Sequence, residues 1–131
     1  MSQHTSSFCA DLHCHSTVSD GLLAPDVVAR RAKERGVSLW SLTDHDELGG
    51  QVLAQQTAKE IGLDYLCGVE ISVTWAGKTV HIVGLGVDPE NASLTEGLRI
   101  TRSGRSDRAR RIGDRLAELG MPGAFEGASK L

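Results

Sequence analysis

The sequence predicts an α/β architecture built on a largely parallel sheet. Three observations carry this. Short apolar runs alternate with helical patterns, the connections between them are brief, and polar residues gather where the apolar runs end. Alternation of this kind marks βαβ units, because a parallel strand pair needs a crossover that a helix supplies.

The elements follow in order. FCADLHCH (8–15) reads as a first strand, with Phe8, Ala10 and Leu12 opposite Cys9, Asp11 and His13. SDG (19–21) is a turn. Pro25 suits a first helical turn, Val27, Val28 and Ala32 give an apolar stripe, and Gly36 stops the helix. VSLWSL (37–42) is the second strand and runs into the polar cluster TDHDE (43–47). Residues 48–61 form an Ala- and Gln-rich helix with Val52 and Leu53 on one face, ended by Gly62. LDYLCGVEISV (63–73) reads as a third strand, Ala76-Gly77 as a hairpin tip, and KTVHIVGLGV (78–87) as the returning fourth strand. Asp88-Pro89 breaks that strand. A long helix is expected over 93–119 on Leu94, Leu98, Ile112, Leu116 and Leu119, interrupted near Gly104 and ended by Gly120 and Pro122. The tail MPGAFEGASKL offers no closing element, so the pattern is expected to be truncated there.

Composition narrows the class. A 40% hydrophobic and 24% charged chain of 131 residues is globular, and five aromatic side chains leave a core of aliphatic residues and alanine. No stretch approaches the roughly 20 apolar residues of a membrane span. The leader MSQHTSSFCADLHCHS lacks the basic and apolar regions of a secretory signal. Three cysteines without C-x-x-C spacing point away from a disulfide framework and toward a reducing cytoplasm. Charge is uneven. Residues 99–115 hold seven arginines against Asp107 and Asp114, five net positive charges, which leaves eight net negative charges on the rest. An acidic body with a basic segment fits cation binding by the one and anion binding by the other, the alternative being a solvated helix face.

Residues capable of chemistry collect at strand ends. His13 and His15 lie two apart, so strand alternation points both to one face. Asp20 lies in the next turn, His45 follows Asp44 after the second strand, and Glu70 and His81 sit in the third and fourth strands. A lone strand histidine is usually a packing residue. His-x-His, Asp-His, Glu and His on successive strands are not explained by packing, because buried imidazoles and carboxylates are costly unless paired or bound to metal. Cys14, between the two histidines, points away from them as a small core filler.

DLHCHSTVSDG, LTDHD, GVEIS and HIVGLG, in that order and each behind an apolar strand, resemble the PHP (polymerase and histidinol phosphatase) family over residues 8–86. RSDRARRIGDRLAELGMPGAFEGA further resembles the branch of 3′,5′-nucleotide bisphosphate phosphatases and 5′-to-3′ exoribonucleases. The resemblance implies that residues 8–131 are the N-terminal part of a distorted (β/α)7 barrel, behind a flexible leader over 1–7. It implies up to three divalent ions: His13 and His15 on the first, Glu70 bridging first and second, His81 on the second, and Asp20 and His45 on the third. Such mixed imidazole and carboxylate shells suit manganese, with iron or zinc as alternatives, better than magnesium or calcium. The implied activity is metal-dependent hydrolysis of phosphate esters from nucleotides or short RNA ends. Glu70 is the implied catalytic carboxylate, Asp44 supports His45, and Arg105 and Arg108 contact phosphate. The runner-up readings are a histidinol-phosphate-type phosphatase and a non-catalytic metal- or partner-binding module. Neither membranes nor stable duplex DNA are expected partners. The family pattern continues with further histidines, whereas His81 is the last in this chain. The expectation is therefore impaired activity for these residues alone, and an open sheet edge able to pair with another chain.

Overall fold

The computed structural model describes residues 8–130. The leader over 1–7 lies outside the described residues. Nine elements run in order: β1 (Ala10–Asp11), α1 (Pro25–Glu34), β2 (Leu39–Trp40), α2 (Gln51–Glu60), β3 (Asp64–Tyr65), β4 (Gly68–Trp75), β5 (Lys78–Leu85), α3 (Ala92–Glu118) and α4 (Ala124–Ala128).

The first three strands form a parallel sheet in the order β1-β2-β3, with Ala10 opposite Leu39 and Trp40 opposite Tyr65. β4 and β5 form an antiparallel hairpin, Gly68 opposite Leu85 and Trp75 opposite Lys78. The parallel α/β expectation holds for the first half. Among the described residues the strands do not close into a barrel. The base of the hairpin joins the segment after β2 through backbone hydrogen bonds on either side of His45. Asp46 N–H donates to the Glu70 carbonyl at 2.9 Å and Glu70 N–H donates to the Asp44 carbonyl at 3.2 Å.

Four details differ from expectation. The first strand is shorter than residues 8–15, because Ser41 N–H bonds the Asp11 carbonyl but Thr43 N–H bonds the Cys14 carbonyl. Three residues on one side thus face two on the other, an inserted residue that ends the regular ladder. The 63–73 run is two strands rather than one. Its first part pairs with β2, and from Gly68 the chain passes to the hairpin, where a side chain at Gly68 would strike Ser41 Oγ and Thr43 Cγ2. α3 runs unbroken through Gly104, its start capped by Asn91 Oδ1 accepting from Leu94 N–H at 3.0 Å. The tail folds into α4 against α3, where Gly113 lets Phe125 approach.

The core lies between the parallel sheet and α1 and α2: Ala29, Ala32, Val37, Trp40, Leu42, Ala54, Ala58 and Leu63. Alanine on both helices permits close approach to the sheet. The helices turn Ala29 and Ala32, and Ala54 and Ala58, inward; Val28 packs against the core with Ala32 as expected, whereas Val27, Val52 and Leu53 are exposed, contrary to expectation. Cys14 packs against this core as expected, and Trp40 Nε1 donates to its sulfur at 3.0 Å. Burial pushes the Cys14 thiol up to about 11, so it is a packing group and not a thiolate ligand. No helix among the described residues is long and apolar enough to cross a membrane.

Candidate metal centre

The site is built where the loops after β1 and β2 meet the base of the hairpin. The pairing of His45 with Glu70 brings the end of the second crossover unit beside the first residues of β4. Antiparallel register places Ser72 opposite His81, so His81 rises on the face that carries Glu70. The inserted residue after β1 turns His13 and His15 over the same point.

Glu70 is the hub. Its side chain is 7% exposed, and its Oε2 lies 2.7 Å from His13 Nε2, 3.1 Å from His15 Nε2 and 3.7 Å from His45 Nε2. Its Oε1 lies 3.3 Å from His81 Nδ1. Asp20 closes the other side, 3.7 Å from His15 Nδ1 and 3.6 Å from His45 Nε2. The rings crowd accordingly, with His15 stacked on His45 at 4.6 Å between centroids. Burial pulls the Glu70 carboxyl upward. The His13 hydrogen bond and the neighbouring His45, His13 and His15 outweigh it and hold the group below the usual carboxylate range.

These six residues form three overlapping triads: His13, His15 and Glu70; His15, Asp20 and His45; and His45, Glu70 and His81. Each can hold a divalent ion, and two observations fit that role. His15 Nδ1, on the side of Asp20, is buried with no hydrogen-bond partner among the described residues, a costly state for a polar atom inside a fold. The donor set also mixes imidazole with carboxylate, the combination borderline transition metals take. The structure thus brings together every sequence-predicted ligand, and it lets His15 and His45 each serve two triads.

Asp44 does not touch the His45 ring. Its fully buried carboxylate accepts from Ser16 N–H and Ser16 Oγ, both at 2.7 Å, and from Ser19 Oγ at 2.6 Å. It ties down the turn that presents Asp20. The sequence reading missed Asp46. This residue is fully buried and left-handed at φ 51°. Its Oδ1 accepts from Ser72 N–H at 2.8 Å, its Oδ2 lies 3.3 Å from Arg105, and its carbonyl accepts from Arg102. Arg102 also pairs with Glu47 at 3.3 Å. Arg105 is therefore engaged in fastening α3 to the loop that carries His45. Arg108 lies beside it in a cleft of about 230 Å³ between α3 and the hairpin.

Comparison with known proteins agrees with this geometry. The PHP domain family model matches residues 11–120. The chain is 48% identical over 120 residues to a 3′,5′-nucleoside bisphosphate phosphatase of Chromobacterium violaceum, covering 92% of this chain and 42% of that protein. It is 45% identical over 121 residues to a 5′-3′ exoribonuclease of Haemophilus influenzae, covering 92% of this chain and 44% of that one. A solved amidohydrolase structure from Chromobacterium violaceum, with bound sulfate and no metal, superposes with a TM-score of 0.83 at 48% identity, over 92% of this chain and 43% of that one. The chain thus spans less than half the length of these relatives.

Proposed function

Because the chain belongs to the PHP domain family, we propose that it serves metal-dependent hydrolysis of nucleotide phosphates, either of 3′,5′-bisphosphonucleotides or at the 5′ ends of short RNA. The observation that carries this is Glu70, one nearly buried carboxylate within 3.7 Å of four imidazoles. The relatives' names support the substrate class, and the sulfate in the related structure supports a tetrahedral oxyanion.

His13 and His15 hold a first divalent ion with Glu70, His81 a second with Glu70, and His45 with Asp20 a third. Manganese is the first choice, and iron or zinc the alternatives. Ions bound there neutralise phosphate charge and lower the pKa of water. The protein's own part is to fix donors. Glu70 keeps two triads in contact, Asp44 braces the turn of Asp20, and the α3 arginines supply cations beside the site. We read residues 8–131 as the N-terminal part of a distorted (β/α)7 barrel, which the β1-β2-β3 order with its intervening helices supports. On that reading these residues alone hydrolyse poorly, and the edge of β5, unpaired among the described residues, favours self-association. The free thiols Cys9, Cys14 and Cys67 support a cytoplasmic setting.

The test is Glu70→Gln, which keeps size and removes the charge shared by two triads. Metal uptake is measured by equilibrium dialysis against Mn²⁺ and elemental analysis, and phosphate release from adenosine 3′,5′-bisphosphate is followed alongside. The variant is expected to lose at least one ion and whatever hydrolysis the parent shows. Full metal stoichiometry in Glu70→Gln overturns the bridging role.

A further inference from the structure

The backbone ladder beneath the candidate centre is missing one rung. Leu66 N–H donates to the Trp40 carbonyl at 2.9 Å, and Glu70 N–H donates to the Asp44 carbonyl at 3.2 Å. A parallel pair bonds at every second residue, so Gly68 N–H and the Leu42 carbonyl are due to meet between these two, yet they do not bond directly. Gln51, 1% exposed at the start of α2, fills the gap. Its Nε2 donates to the Leu42 carbonyl at 3.0 Å and to the Gly68 carbonyl at 2.8 Å. Its Oε1 accepts from Gly68 N–H at 3.4 Å and from the Tyr65 hydroxyl at 2.6 Å. Two carbonyls facing one atom identify it as the nitrogen, and the amide has both donors and both acceptor positions engaged. The side chain stands in for a peptide unit spliced between two strands. Gly50 lets it in, since a side chain there would meet Leu42 Cδ2 at 2.9 Å.

The rung lies where two sets of donors meet. His13, His15, Asp20 and His45 stand on loops that are already cross-linked, because Asp44 accepts from Ser16 and Ser19 and Thr43 N–H donates to the Cys14 carbonyl. Glu70 and His81 stand on the hairpin. Leu42 precedes His45 by three residues, and Gly68 precedes Glu70 by two. The amide of Gln51 thus ties the strand that leads into one set to the strand that leads into the other. A buried polar group with every bond satisfied fixes a single arrangement, whereas an apolar contact tolerates several.

We propose that Gln51 is a positioning residue, whose side-chain amide sets the distance between the hairpin donors Glu70 and His81 and the loop donors His15 and His45. It acts through the Leu42 and Gly68 backbone. Its consequence for metal uptake rests on the reading of this centre as a metal site.

The experiment is NMR spectroscopy of the whole, metal-free chain, read as nuclear Overhauser contacts between imidazole rings. His45 and His81, one from each set, have centroids 5.1 Å apart, and His15 and His45, both on the loops, 4.6 Å apart. Gln51→Met keeps the length and loses the amide. It is expected to weaken the first contact and leave the second unchanged. Ala58→Gly lowers stability at a fully buried position of the same helix and spares the amide. It is expected to leave both contacts unchanged. An unchanged His45–His81 contact in folded Gln51→Met, or equal weakening in Ala58→Gly, overturns the proposal. The parent chain gives a second reading that holds even where Gln51→Met does not fold. Its Gln51 Nε2 protons are expected to exchange with solvent at least about tenfold more slowly than those of the exposed Gln55 and Gln56. Equal exchange overturns the clamp. Mn²⁺ uptake by equilibrium dialysis follows on parent and Gln51→Met. Affinity at the triads that contain Glu70 is expected to fall about tenfold, while the triad of His15, Asp20 and His45 keeps its ion. Uniform loss of every ion overturns the positioning role. A parent that takes up no Mn²⁺ rejects the metal reading alone, and the ring contacts and exchange rates still decide the role of Gln51.

Discussion

Asp46 shows how much a single position carries beside the metal-capable His45. Its backbone is left-handed, where only glycine, asparagine and aspartate sit without strain, and its carboxylate is fully buried between Ser72 and Arg105. Asparagine keeps the conformation and the Ser72 contact and loses only the charge that faces Arg105. Alanine loses all three. Asp46→Ala is therefore expected to fall below Asp46→Asn in stability by about 1–3 kcal/mol. Urea unfolding of both variants checks it, and equal midpoints reject the assignment. The metal-capable residues were legible in the sequence because His-x-His and Asp-His are rare in packing and recur at strand ends. Asp46 was not legible, since an aspartate in TDHDE looks like one more surface charge. The arginines were legible as a run but not as individuals, because pairing depends on which loop α3 meets.

At the level of elements, local pattern decided some boundaries and tertiary contacts the others. Pro25, Gly36 and Gly62 mark helix ends where expected, with both glycines at positive φ. The join between β3 and β4 left no trace, because period-two alternation reads the same on either side of Cys67. The continuity of α3 was hidden by Gly104. One glycine costs a helix only about 1 kcal/mol, which 27 residues absorb. The glycines of α3 can be told apart by experiment. A methyl at Gly97 meets nothing within 4 Å, whereas one at Gly113 falls 2.7 Å from Phe125 Cβ. Gly97→Ala is expected to stabilise by about 0.5–1 kcal/mol through helix propensity. Gly113→Ala is expected to destabilise and to free α4. Thermal unfolding gives the two signs, and hydrogen exchange over 124–128 reports the release.

For the molecule as a whole, burial is lopsided. The parallel sheet and its two helices enclose the core, while the hairpin stands out with Val80, Ile82, Val83 and Leu85 each between about a third and a half exposed and Trp75 76% exposed. An edge strand with apolar side chains and free backbone groups is a template for pairing. If the proposed self-association runs through this strand, Ile82→Lys is expected to weaken it by placing a charge there. Sedimentation velocity across a range of concentrations measures the change, and identical profiles for parent and variant remove the β5 edge from consideration. The sequence conveyed the parallel half because each βα unit carries its own local signals. It conveyed the exposed hairpin poorly, since Val, Ile and Leu there look like core.

Glu70 and His81 share one hairpin, eleven residues apart, whereas His13 must be brought to Glu70 across a separation of 57 residues. Loop closure and contact order make these unequal events in time. A hairpin closes in about 1–10 μs, and long-range pairings come later. A refolding chain is therefore expected to bring Glu70 and His81 together before its N-terminal histidines arrive. On the proposed metal reading, a cation in the refolding buffer would meet a half-built chelate first and the remaining donors afterwards, so the expected order of assembly follows from where the donors lie along the chain.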